Sequence, residues 1–406
     1  MTRKCSNWLL ALRDYSEETE TPLHFWTWTG LFILSAAVQR KVWIPFGQKK
    51  IFPNLYIMII APPGFARKSV PLSFAKRILK DLQLPLFVDS PSKRAFTKHL
   101  DSLSKRSHFS RIVDGVKVSE AQSPLSCVSP ELSSFFALDI KGMVEILTDI
   151  YDCPDTWDYM TAGSGEDKIV APYVTCLFAS TPMWIAGNLP QEAIGGGFTR
   201  RCIIAFGDEV KKSISLPPPP NAALYKNMTI DLQQICRLGG EVEWTPKGFE
   251  IYDEWYGGLK ERIKTVSDER IQPFLSEVHS IAIKVAILAH VARSDELFID
   301  PEDMLLAIGL LEKVIDSAGK AFSSHGRSLS AHDTDRIMSQ IATVKITTEA
   351  ELLRMNYRNT NKTEMAQILD TLAGMDRISR KVDGKTGKQT IIWKGGDESR
   401  KEITYK

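Results

Sequence analysis

The chain lacks the signatures of zinc, dithiol and secretory chemistry. No CxxC pair occurs, and no cysteine is spaced with the seven histidines as a zinc site requires. The six cysteines, Cys5, Cys127, Cys153, Cys176, Cys202 and Cys236, are scattered and read as buried thiols in a reducing compartment. Neither charge dominates: the formal net charge is +2, so any nucleic-acid surface must be local. Phe25 to Val38 is the most membrane-like stretch, but it is too short for a bilayer and carries threonines, so it reads as a core helix. Met1 to Cys5 is basic, yet Asp14, Glu17, Glu18 and Glu20 follow where a secretory signal needs an apolar run. The expectation is a cytoplasmic protein with no membrane partner.

What is present is ordinary globular composition, 43% hydrophobic and 25% charged over 406 residues, enough chain for a sizeable core in two or three domains. No internal repeat is found. Trp8, Leu9, Leu12 and Tyr15 recur at helical spacing, and a second helix is predicted from Leu23 to Arg40, with Thr21 as N-cap and Pro22 as its first residue. Lys41 to Phe46 is β-branched and aromatic and reads as a short strand. Leu55 to Ile60 is a continuous apolar run, typical of a central parallel strand. Leu125 to Val128, Tyr173 to Phe178 and Cys202 to Phe206 are further strand candidates, with a helix at Ile140 to Ile150 between them. Strands alternating with helices predict a doubly wound α/β core. Pro217 to Pro220 reads as a linker. From Thr245 to about Phe322 the pattern is helical, and Ser323 to Ser330 is a second linker. The expected division is a helical region 1–50, an α/β core 51–213, a helical lid-like region 214–328, a C-terminal module 331–396 and a tail 397–406.

The segment Ala61-Pro62-Pro63-Gly64-Phe65-Ala66-Arg67-Lys68-Ser69 lies between a predicted strand and a predicted helix. That setting suits a phosphate-binding loop, whose backbone N–H groups and helix dipole cradle an anion. The lysine of such a loop reaches the β- and γ-phosphates, and its hydroxyl residue holds Mg²⁺; Lys68 and Ser69 match those roles. The strict pattern fails, because Arg67 stands where glycine precedes the lysine and Pro62 falls on the first glycine. Arg67 is then a candidate second phosphate-binding cation. The competing reading is a plain strand–turn–helix connection with a basic first turn.

Hydrolysis also needs an acid to orient water and cations on the developing charge. Glu131 follows an apolar strand in Leu125-Ser126-Cys127-Val128-Ser129-Pro130-Glu131, the place of a Walker B acid, although Pro130 replaces the usual partner Asp. The competing reading of Glu131 is a helix-start Glu favoured by the dipole. Ser180 and Thr181 end the next strand and could sense the γ-phosphate or simply cap the following helix. Gly195-Gly196-Gly197-Phe198-Thr199-Arg200-Arg201 is a glycine-rich basic loop, so Arg200 or Arg201 is a candidate arginine finger acting on a neighbouring subunit. Lys284 reads as a lid-borne cation or as a snorkelling lysine.

These residues, in this order, resemble an uncharacterised family of P-loop ATPases encoded by phages, plasmids and integrated elements. Four stretches carry the resemblance: Tyr15 to Trp43, Pro53 to Ser69, Ser129 to Leu132, and Ala171 to Pro182 followed by Gly197 to Arg201. The resemblance implies a RecA/AAA+-like P-loop core that uses ATP and Mg²⁺. It also implies a homo-oligomer, such as a hexameric ring, acting on DNA as a replicative helicase-like motor beside other replication proteins. A non-hydrolysing initiator or helicase loader, or a scaffold with a vestigial loop, is the alternative.

Residues 333–396 read as three helices followed by a hairpin around Asp383 to Gly387, the order of a winged helix. Lys362, Arg377, Arg380, Lys381, Lys385 and Lys388 gather on the third helix and hairpin, where such modules meet DNA. Glu364 and Asp370 on the same helix oppose that reading, and a protein-binding module is its competitor.

Overall fold

The computed structural model describes the chain except residues 1, 65, 88–91, 114–115, 162–164, 191–192, 194–196, 209–211, 267–270, 322–328, 357–359, 383–388 and 395–406. The chain forms two compact units, Met1–Phe322 and Ser323–Lys406.

The first unit is mixed α/β around a five-stranded parallel sheet. Its strands are β1 (Tyr56–Ile60), β2 (Leu86–Phe87), β3 (Ser123–Ser129), β4 (Pro172–Ser180) and β5 (Cys202–Phe206), in spatial order β5-β1-β4-β3-β2. Every neighbouring pair is parallel; Phe178 faces Met58 of β1 and Ser129 of β3. All five residues of β1 are buried, as a strand covered on both faces requires. Alternation splits them: Ile57 and Ile59 join one core, Tyr56, Met58 and Ile60 the other.

The first core is built with helices Trp8–Tyr15, Leu23–Val38, Ser69–Asp81, Ala222–Ile235, Gln272–Val291 and Pro301–Ala321. Segments 1–50, 51–213 and 214–328 thus contribute to one hydrophobic cluster. The second core takes helices Lys93–Arg106, Leu132–Phe135, Ile140–Ile150 and Pro182–Asn188. The helix after β1 therefore covers one face and the helix after β4 covers the other. Adjacent parallel strands whose connections leave to opposite faces open a crevice at their carboxyl ends.

Several local expectations change. Leu23–Val38 begins at Pro22 as N-cap without a side-chain cap, because the Thr21 hydroxyl donates instead to the Arg67 carbonyl. The strand expected over Lys41 to Phe46 is Val42–Phe46. β2, only two residues long, and the hairpins His108–Val113/Val116–Ala121 and Thr156–Thr161/Gly165–Val170 are additions to the predicted elements. Gln272–Val291 is long and apolar enough to cross a membrane by length and composition, yet most of it is packed in the first core.

The second unit has helices Leu329–Val344, Glu349–Asn356 and Lys362–Gly374 and a three-stranded antiparallel sheet. In that sheet Gln389–Trp393 lies between Ile346–Thr348 and Ile378–Val382. Its own core includes Ile337, Ile341, Leu352, Met365, Leu369, Leu372 and Ile391. The turn expected at Asp383 to Gly387 lies outside the described residues.

Candidate phosphate-binding site

β1 ends in the loop, and the loop is tied to β4 where the Ala61 N–H donates to the Ser180 carbonyl at 3.4 Å. The chain then turns with positive φ at Gly64 (+73°), Ala66 (+64°) and Arg67 (+45°). Ala66 and Arg67 thus hold a left-handed backbone without being glycine, a strained arrangement of the kind found at functional loops. This is how the turn forms without the glycine that the strict motif calls for. Phe65 lies outside the described residues.

Helix Ser69–Asp81 follows at once. Lys68 occupies the N-cap position, no side chain caps the helix, and no acidic residue sits in its first turn. The positive end of its dipole is therefore not neutralised from within the helix. The Lys68 ammonium folds back on the end of β1, donating to the carbonyls of Ala61 (2.6 Å) and Pro62 (3.3 Å). Burial lowers its pKa, while the negative charge of Glu131 acts in the opposite sense. Lys68 and Glu131 are thus brought into electrostatic contact from the ends of β1 and β3.

These groups line a crevice of about 450 Å³ with Pro63, Gly64, Arg67 and Ser69 on one side, and Pro130 to Ser133, Ala179 to Thr181 and Trp184 opposite. Of the residues expected to bind phosphate, Pro63, Gly64, Arg67, Lys68 and Ser69 line it, together with Glu131 and Thr181, whereas Ala66 is buried in the first core and does not. Glu131 is exposed and precedes helix Leu132–Phe135; the Ser129 hydroxyl donates to its carbonyl at 2.7 Å. The Thr181 hydroxyl oxygen accepts the Trp184 N–H at 3.2 Å and caps helix Pro182–Asn188.

Arg67 is only partly available as a phosphate cation. Its Nε donates to Glu20 Oε2 at 2.8 Å, and the other Glu20 oxygen accepts the Ile214 N–H at 2.9 Å. Those two hydrogen bonds, Arg67 first, hold the Glu20 carboxyl below its ordinary pKa. Glu20 is thus a site neighbour that sequence reasoning missed. It lies 47 residues from Arg67 with no local motif to announce it.

The two arginines of the pair are differently engaged. Arg200 and Arg201 precede β5 and so stand at the amino ends of the strands, opposite the crevice. Arg201 is buried, donating to the Gly197 carbonyl at 2.6 Å and to Asp152 at 3.1 Å, so its guanidinium is committed to structure and not free to act on a neighbour. Arg200 is 41% exposed at the side chain and 4.0 Å from Glu277. Gly195 and Gly196 lie outside the described residues.

Lys284 is no lid cation over the phosphates. It is buried at the amino ends, donates to Asn54 Oδ1 at 2.8 Å and sits 3.7 Å above the Tyr151 ring. Burial lowers its pKa to about 8. It lines a larger cavity, about 1060 Å³, at that end of the sheet. Size alone would favour this cavity, but it has neither the loop nor the uncapped helix start. A third group, His290, Asp300 and Asp303, has metal-like spacing. The Arg293 guanidinium donates to both carboxylates and so takes the place of a cation.

In the second unit Lys362 and Lys381 are exposed and Arg377 is half-buried. Arg380 Nη1 pairs with Asp370 at 2.7 Å, which offsets its charge within the module. Lys385 and Lys388 lie outside the described residues. Compared with known protein families and with curated proteins, the chain matches none.

Proposed function

We propose that the first unit is a P-loop-type ATPase and that the second is a winged-helix module that contacts DNA, together forming an ATP-dependent DNA-acting motor. The observation that carries the reading is the convergence, at the carboxyl-end crevice, of an uncapped helix start, Lys68, Ser69 and Glu131. A polyphosphate is the ligand such a start and cation attract. Lys68 releases its two carbonyl acceptors and turns to the β/γ-phosphates; the Ser69 hydroxyl would hold Mg²⁺. The metal ion, when bound, supplies charge neutralisation to the phosphoryl oxygens. Glu131 orients the attacking water, and Thr181, besides capping its helix, offers its hydroxyl proton on the same side. Arg200, which stands away from the crevice, would act on the nucleotide of a neighbouring subunit in a ring. In the second unit Lys362, Arg377 and Lys381 make the backbone contacts.

A non-hydrolysing initiator or loader is the second reading. It is favoured by Pro130, which leaves the metal without the usual second acid. The test is steady-state ATP turnover with and without single-stranded DNA in wild type, Lys68→Ala and Glu131→Gln. DNA-stimulated turnover, lost by about 10²-fold or more in both variants, is expected of the motor. ATP binding without turnover in the wild type selects the second reading, and absence of ATP binding sinks both.

A further inference from the structure

We infer that the cavity at the amino ends of the strands is a second ligand site, in which the Lys284 amine captures a small aldehyde or ketone as an imine. The inference is independent of the phosphate reading of the crevice. The cavity holds about 1060 Å³, ample for a small molecule, whose sites usually span roughly 300–1,000 Å³. Lys284 lies on helix Gln272–Val291 and is 4% exposed. A buried ammonium needs an anionic partner or gives up its proton. Among the described residues no carboxylate pairs with Lys284; its hydrogen-bond acceptor is the neutral Asn54 Oδ1 at 2.8 Å. The orientation of that amide is fixed, because Asn54 Nδ2 donates to the carbonyls of Tyr151 at 2.8 Å and Val174 at 3.3 Å. Lys284 Nζ is thus the donor, and once neutral it keeps its lone pair for a ligand.

Burial is the largest influence on the amine and lowers its pKa to about 8; Cys153, Asp152 and Glu277 oppose that shift, and Arg201 adds to it. Asp152 is itself paired with Arg201 at 3.1 Å. A desolvated lysine of this kind is a nucleophile near neutral pH. Cys153, on the same wall, does not compete, because burial pushes its thiol up to about 11 and keeps it protonated. The step balances without an oxidant or reductant. The neutral amine attacks the carbonyl carbon, a C–N bond forms, and the two amine protons leave with the carbonyl oxygen as water, which completes the C=N bond. The amine sits 3.7 Å from the centre of the Tyr151 ring. The Tyr151 hydroxyl is buried without a hydrogen-bond partner among the described residues, and burial holds its pKa well above the ordinary value. It is therefore the proton source for the departing oxygen, and the nitrogen's proton restores it.

The full chain is incubated with propanal and sodium cyanoborohydride, which reduces an imine where it forms, and alkylated residues are mapped by mass spectrometry after proteolysis. At pH 7 Lys284 should be modified about tenfold or more faster than Lys49 and Lys50, which are exposed and line the same cavity. That advantage should shrink by pH 9.5, as ordinary lysines begin to lose their protons. Lys284 reacting no faster than Lys49 and Lys50 at pH 7 overturns the inference. Ser280 lines the cavity one helical turn before Lys284, on the same face. Ser280→Trp, with an unchanged urea midpoint, should slow modification of Lys284 by about tenfold and leave Lys49 and Lys50 at their wild-type rates. A Lys284 that stays fast in that folded variant overturns the cavity as the ligand's place. Should the variant not fold, the wild-type comparison decides alone. Tyr151→Phe keeps the ring under the amine and should slow the reaction by about threefold or more at every pH; an unchanged rate overturns the role of the hydroxyl.

Discussion

Arg67 occupies a backbone conformation that favours glycine, with φ at +45° directly before the lysine. Two substitutions separate backbone from side chain. Arg67→Gly removes the strain but also the Glu20 pair, which at an arginine 63% exposed is worth little; stability measured by urea unfolding should be unchanged or higher. Arg67→Val adds β-branching at a positive φ that the arginine already strains and should lower stability further. A stable Arg67→Val protein would mean that the loop relaxes out of this conformation. Lys284 gives a pH test. Its folded pKa is depressed, so between about 8 and the ordinary 10.5 the folded state has lost a proton that the unfolded state keeps. The unfolded state then binds more protons, and this group makes stability rise with pH across that window. The raised thiols and tyrosines act oppositely in the same range, so the readout is the difference between wild type and Lys284→Met. Wild type should gain on the variant from pH 8 to 10.5, and a constant difference would contradict a charged, buried amine. Lys68 and Ser69 were legible because a strand, a turn and a helix surround them. Glu20 was not, because an ion pair across 47 residues leaves no periodicity.

Helix Pro182–Asn188 is short, and its start depends on one hydroxyl. Thr181 accepts the Trp184 N–H while lining the crevice, so the two readings of this residue, cap and sensor, coincide in one atom. Thr181→Ser keeps the hydroxyl and should preserve both stability and turnover. Thr181→Ala should lower stability by about 1 kcal/mol, measured by urea unfolding. A fall in turnover far beyond the loss of folded protein would assign the hydroxyl a role in the crevice as well. The elements most legible in the sequence were those whose pattern reports burial: β1, β3, β4 and β5 are apolar runs buried along most of their length. β2 escaped because two residues make no pattern. The two hairpins escaped because their strands mix aromatic and charged residues, as in Thr156–Thr161, without strict alternation. Thr21 misled for a physical reason: its hydroxyl has a better use across the fold, on the Arg67 carbonyl, than on its own helix.

At the scale of the whole molecule, two compact units with separate cores make the chain divisible. The first unit buries its sheet on both faces with its own helices. The second has a core of its own, with nine buried residues among those described. A chain ending at Phe322 should therefore unfold cooperatively, at a denaturant midpoint close to that of the first unit in the full protein. What it should lose is DNA. The net charge of +2 provides no general attraction, so affinity must come from local cations. The exposed candidates described in the second unit are few, because Arg380 is paired with Asp370. Removal of 323–406 should weaken single-stranded and duplex DNA binding by about tenfold or more and flatten its dependence on salt, since each lost phosphate contact lowers the slope of log K against log salt by about one. Lys362→Ala with Lys381→Ala should reproduce part of that change in slope without altering the stability of either unit. Fluorescence anisotropy at two or more salt concentrations decides the matter. An unchanged slope in the truncated chain would move the DNA-binding surface into the first unit and leave the second as a protein-binding module.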